Sequence, residues 1–131
     1  MDKAASVVVG EAQRRATLFH GMSKFYPNDA DGDALHLVVE AGADMSRPMI
    51  IEFSIDVPDE RTANQVSELV APLGFDASVS YDEDDEARSV YCGKSMLATY
   101  DGVVSVQTQL NKLLVPLGAN CDGWGTFGNT Q

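Results

Sequence analysis

The residues with the greatest capacity for chemistry in this 131-residue chain are carboxylates. One group, Asp29-Ala30-Asp31-Gly32-Asp33, alternates acids in the manner of a calcium loop, with Glu40 further on. An EF-hand loop opening at Asp29 needs glycine at its sixth position for the sharp turn, and that position is Ala34. The frame fails, and the cluster reads instead as a turn entering a helix. Asp33 or Asp31 would cap it by accepting orphan backbone N–H bonds at the positive end of the helix dipole. A second group, Asp82-Glu83-Asp84-Asp85-Glu86, places five acids in a row. Like charges on a flexible connection repel one another and lack the fixed geometry of a selective metal site. Two readings stand: a solvated loop, or an electrostatic lure for a basic partner, which raises the association rate more than the affinity.

The other reactive side chains are isolated. His20 and His36 have no local partner suited to general-base work. Cys92 shares an alternating face with Val90 and Met96, which suits packing, and Cys121 has no CxxC companion, so zinc and thioredoxin-type motifs are missing. No glycine-rich phosphate loop is present. The residues indicate no catalytic set and no cofactor. Trp124, the only tryptophan, lies between Gly123 and Gly125. Its indole either folds the tail back onto the domain or stands out as an anchor for a partner.

Charge narrows the partner. With 20 acidic and 9 basic residues the formal net charge is -11, carried unevenly: +2 over residues 1–28, -14 over residues 29–86 and +1 over residues 87–131. Direct capture of nucleic acid or anionic lipid requires the opposite sign. A basic protein partner fits, as does the plainer use of surface charge for solubility. Apolar runs such as Val7-Val8-Val9 are too short to span a bilayer. Two cysteines without a secretory leader suit a reducing cytosol.

These residues must be held by some arrangement of elements, and the periodicity supplies one. Hydrophobic residues at 44% and charged residues at 22% are an ordinary globular mixture, enough for one domain with its own core. Residues 1–25 read as a separate N-terminal segment, with a helix expected over roughly residues 11–24 although Val7 to Val9 favour a strand. A short helix covers Ala34 to Ala41. Ile51, Phe53, Ile55 and Val57 then alternate with Glu52, Ser54 and Asp56, a half-buried strand. Ala63, Val66, Leu69, Val70 and Leu73 share a helical face that ends at Gly74. Phe75, Ala77, Val79 and Tyr81 alternate with Asp76, Ser78 and Ser80 in a second strand, and Asp82 to Glu86 form a hairpin into a third over Ser89 to Met96. A last helix, about Tyr100 to Leu117, aligns Val103, Val106, Leu110, Leu113, Leu114 and Leu117. No internal repeat is evident. The order is that of a split βαβ unit followed by a helix, a ferredoxin-like βαββα domain of α+β class over residues 26–131. Its three strands are expected in order 1-3-2, with helices on one face and carboxylates Glu52, Asp56 and Asp76 on the other.

Several stretches together resemble a known family. They are Asp31-Gly32-Asp33-Ala34-Leu35, Glu40 through Pro48, Ile51-Glu52-Phe53, Val57-Pro58-Asp59-Glu60, Lys94 through Tyr100, and Asp122-Gly123-Trp124-Gly125. In order and spacing, over about residues 26–129, this set is similar to the regulator of ribonuclease activity B family. The chain departs from the pattern in its N-terminal segment and in carrying Gly118-Ala119-Asn120 where a Gly-Gly pair is common. The resemblance implies a small cytoplasmic bacterial protein with a ferredoxin-like fold and no catalytic residues. It also implies a partner, since the best-known members bind ribonuclease E, whose non-catalytic regions are rich in arginine, and restrain its cleavage of RNA. On that basis Asp31, Gly32, Pro48 and the Asp122 to Gly125 run are expected to serve the fold. The Asp82 to Glu86 loop, Glu52, Asp56, Asp76 and Trp124 are the expected contacts to a basic ribonuclease segment. A homodimer and a carboxylate metal site are the alternatives.

Overall fold

A computed structural model of the chain describes residues 7–8, 26–84 and 86–129. The helix expected over residues 11–24 lies outside them. The described elements are β1 (Val7–Val8), α1 (Ala30–Glu40), β2 (Met49–Val57), α2 (Glu60–Val70), β3 (Asp76–Asp82), β4 (Ala87–Met96), α3 (Tyr100–Leu114) and β5 (Asn120–Thr126).

α2 and α3 start and stop by the same local chemistry. Asp59 in extended backbone accepts the Thr62 N–H at 2.8 Å to open α2, and Thr99 accepts the Gly102 N–H at 3.0 Å to open α3. At the other end each helix tightens into a 3-10 turn, Ala71–Leu73 or Val115–Leu117, in which proline cannot prolong the helix. A left-handed glycine follows, Gly74 at φ 96° or Gly118 at φ 75°. The Pro-Leu-Gly ending is thus used twice, once per crossover. The sequence reading found no repeat because the likeness is confined to these few terminator residues. The capping residue of α1 is also corrected: it is Asp29, while Asp33 is 2% exposed and turned inward.

The sheet is wider than expected. The expected three strands in order 1-3-2 become, counted from β2, an antiparallel sheet of order 2-3-1-4, because Asn120–Thr126 forms β5 along the free edge of β2. With β1 beside β5, the full order is β1-β5-β2-β4-β3. A segment with two glycines and an asparagine carries almost no strand propensity, which hid β5 in the sequence. Its pairing with β2 is interrupted by a bulge between Ser54 and Ile55, where Gly123 takes φ 141° and Asp122 is the extra residue.

The alternation read in β2 is present: Ile51, Phe53 and Ile55 are fully buried while Glu52 and Asp56 are exposed. Phe53 meets Phe75 edge-on at 6.3 Å between ring centres, and Val66, Val70, Val103, Leu110 and Leu114 cover this face of the sheet. The opposite face carries no helix among the described residues. In β3 the alternation fixes the side but not the burial. Val79 and Tyr81 point to the helix side yet are each 47% exposed, because α2 covers only the start of that strand. Leu73 and Leu113, expected on buried faces, are likewise exposed.

Candidate functional site

The sequence motifs and the outer face of the sheet occupy different parts of the molecule. The motifs meet in a half-buried seam. Asp29 Oδ1 accepts the Gly32 N–H at 2.8 Å and Asp29 Oδ2 accepts the Tyr100 hydroxyl at 2.6 Å. That hydrogen bond holds the proton on Tyr100, pushing its pKa up to about 12. One turn on, Asp31 Oδ1 accepts both the Trp124 indole N–H at 2.9 Å and the Gln107 amide at 3.0 Å. The loop of residues 29–33 is therefore tied to α3 and to β5. Gly32 is required there, since a Cβ would lie 1.8 Å from the Pro27 carbonyl oxygen.

Trp124 is 1% exposed, opposite Phe53 in the core, so the indole packs the tail onto the domain and is withdrawn from the set of exposed partner contacts. The chain beyond it is pinned as well. The Asn129 amide donates to the carbonyls of Asp44, Arg47 and Pro48, and its oxygen accepts the Asp44 N–H at 2.9 Å. Pro48 and the Asp122 to Gly125 run thus belong to the frame. The carboxylates of Asp29 and Asp31 are engaged by protein donors. No group of three or more His, Cys, Asp or Glu placed to hold a metal occurs among the described residues. Both thiols are quiet: burial raises Cys92 to about 12 and Cys121 to about 11, so neither is a thiolate near neutrality.

The outer face is different in kind. Strand register sets its rows: Glu52 lies opposite Gly93, which lies opposite Asp76, with Gly125 on the far side of Glu52. Glu52 and Asp76 are therefore two strand spacings apart, about 10 Å, across a glycine floor. The next row crosses Ser54, Tyr91 and Ser78, and the one after it Asp56, Ser89 and Ser80, with Asn120 beyond Asp56. The bulge brings Asp122 toward Asp56, whose pKa is raised by partial burial and by that neighbouring charge. Asp122, expected to serve the frame, thereby also joins the candidate face, which only the β5 pairing reveals. Ile50 and Tyr91 are the exposed apolar side chains of these rows. Arg88 and Lys94 alternate to the helix side, where they lie over the Tyr81 and Phe75 rings at 4.4 and 4.9 Å. The four strands β2 to β5 thus present Glu52, Asp56, Asp76, Asp82 and Asp122 outward and neither lysine nor arginine.

The loop after Asp82 extends this charge at one corner. The Asp84 N–H bonds back to Asp82 Oδ1 at 3.0 Å, and Glu86 takes φ 53° to re-enter β4. Glu83, Asp84 and Glu86 are exposed; Asp85 lies outside the described residues.

What fold and face define together is an acidic α+β domain whose motif residues build the frame and whose charged sheet face is turned outward. The chain belongs to the family described as regulator of ribonuclease activity B, whose model matches residues 28–126, from the start of the capping turn to the last residue of β5. The family is named for regulating a ribonuclease activity rather than performing one. Among curated proteins none matches the chain. No helix of the described residues is long and apolar enough to cross a membrane.

Proposed function

We propose that this protein is a non-enzymatic cytoplasmic regulator that binds a ribonuclease of the ribonuclease E type through a basic, arginine-rich segment and thereby restrains RNA decay. The observation that carries this reading is the sign purity of the outer sheet face. Glu52, Asp56, Asp76 and Asp122 project there, and the strands that carry them place neither lysine nor arginine on that face. Guanidinium groups match carboxylates in geometry as well as charge. The mechanism is occupation: a basic segment held on the acidic face is withheld from RNA or from another component of the degradation assembly. Two crossovers, β2-α2-β3 and β4-α3-β5, around an antiparallel sheet support the ferredoxin-like description of the frame.

Calorimetric titration with arginine-rich ribonuclease segments tests this. Binding is expected at ~50 mM salt and should weaken steeply as salt is raised, because the contacts are exposed and screened. No heat of binding at the lower salt would overturn the reading.

A further inference from the structure

The strand at the acidic end of the sheet is open. β3 ends the sheet order, pairs with β4 over all seven residues without a bulge, and has six of its seven residues exposed. Among the described residues no element lies on its far side. Edge strands in monomeric domains are commonly blunted by lysine, proline, a bulge or a covering loop, because their outward N–H and C=O groups template further pairing. Asp76–Asp82 reads Asp-Ala-Ser-Val-Ser-Tyr-Asp: it has no lysine, proline or bulge, and its charges, Asp76 and Asp82, sit only at its two ends. Its two sides also differ in a way that suits one kind of added strand. Asp76 and Asp82 stand on the outer side, and the half-exposed Val79 and Tyr81 stand on the helix side.

A second copy of this chain in the symmetric antiparallel register meets a charge clash. Antiparallel self-pairing centred on Val79 would set Asp76 opposite the other copy's Asp82, and like charges directly opposite destabilise a ladder. The adjoining acids Glu83, Asp84 and Glu86 would add to that repulsion. We infer that the free edge of β3 receives an extended segment of a basic protein partner, in which arginine or lysine alternates with apolar residues, as an added strand of the sheet. The cations then lie beside Asp76 and Asp82 on the acidic face, and the apolar side chains cover Val79 and Tyr81. The inference rests on the proposed capture of a basic segment and adds how that segment lies.

The test uses the full chain and two synthetic peptides alternating arginine with valine, one of them N-methylated at both the arginine and the valine nitrogens so that neither edge can donate to a ladder. The pair shares charge pattern and side chains, and only the unmethylated peptide can complete a ladder. At ~50 mM salt the unmethylated peptide should bind and slow amide exchange within Asp76–Asp82, and the methylated one should bind at least about tenfold more weakly. Equal binding of the two, with β3 exchange unchanged, would overturn strand addition while leaving electrostatic capture by the sheet face standing. Binding of neither peptide would remove both. Exchange in β3 that slows with protein concentration alone would assign the edge to a second copy and overturn the inference.

Discussion

The hydrogen-bonded seam at Asp31 and the open face at Glu52 lie on opposite sides of one sheet and are built by opposite rules. In the seam, every carboxylate oxygen that meets Trp124, Gln107 or Tyr100 has a fixed donor within 3.0 Å, and a single added carbon at Gly32 has no room. On the face, carboxylates stand a strand or more apart among serines and glycines, and Glu52, Asp56 and Asp76 accept no side-chain hydrogen bond from another described residue. Most residues that mark the family in sequence therefore close the fold, and of the carboxylates proposed for recognition only Glu52 and Asp122 fall within the family stretches. Substitutions in the seam should cost stability and leave the affinity of the folded protein intact. Substitutions on the face should do the reverse.

The largest effect is expected at Trp124. Trp124→Ala empties a core position and strands Asp31, and should cost about 3–5 kcal/mol in a denaturant titration, enough to leave the domain marginal. Gly32→Ala and Asp31→Ala come next, at about 1–3 kcal/mol each, the first by forcing the capping turn away from Pro27 and the second by leaving buried donors unmet. If any of these weakened binding without loosening the fold, the division between frame and face would be wrong.

The smallest effect on stability has the opposite sign. Burial and Asp122 raise the pKa of Asp56. Because the folded-state value lies above the unfolded one, the associated stabilisation belongs to the protonated form. It is complete below the unfolded pKa and is lost as pH rises through the folded-state value. Asp56→Asn should therefore stabilise the protein slightly at neutral pH, by about 0.5 kcal/mol or less given solvent screening, and should flatten the pH dependence of the melting temperature above pH ~4. Asp59, the α2 cap, runs the other way. The hydrogen bond from Thr62 lowers its pKa, so its contribution is present at neutral pH and lost as acid protonates it below the unfolded value. A melting curve for Asp59→Ala that converges on wild type only at low pH checks the sign.

Much of this was legible in the sequence wherever one periodicity dominated. Ile51 to Val57 announced a strand with acids on its outer side, so Glu52 and Asp56 were placed correctly from alternation alone. The helical stripes behind Pro58 and Tyr100 were plain too, except at their exposed members Leu73 and Leu113. What stayed hidden depended on tertiary pairing. β5 has too little propensity to be seen until β2 offers it an edge, and with β5 unseen neither the approach of Asp122 to Asp56 nor the burial of Trp124 could be decided. The exposure of Val79 and Tyr81 was also out of reach, since alternation tells which side a residue faces and not whether a helix reaches it.

The central claim is that partner recognition lies in the charge of the sheet face. It is tested most directly by titrating an arginine-rich ribonuclease segment into the wild-type chain and into Glu52→Gln/Asp56→Asn/Asp76→Asn at ~50 mM salt. Unfolding of each protein is followed in the same buffer. The account predicts an affinity loss of at least about tenfold with an unfolding midpoint equal to or slightly above wild type. Undiminished affinity in a folded triple variant would contradict it.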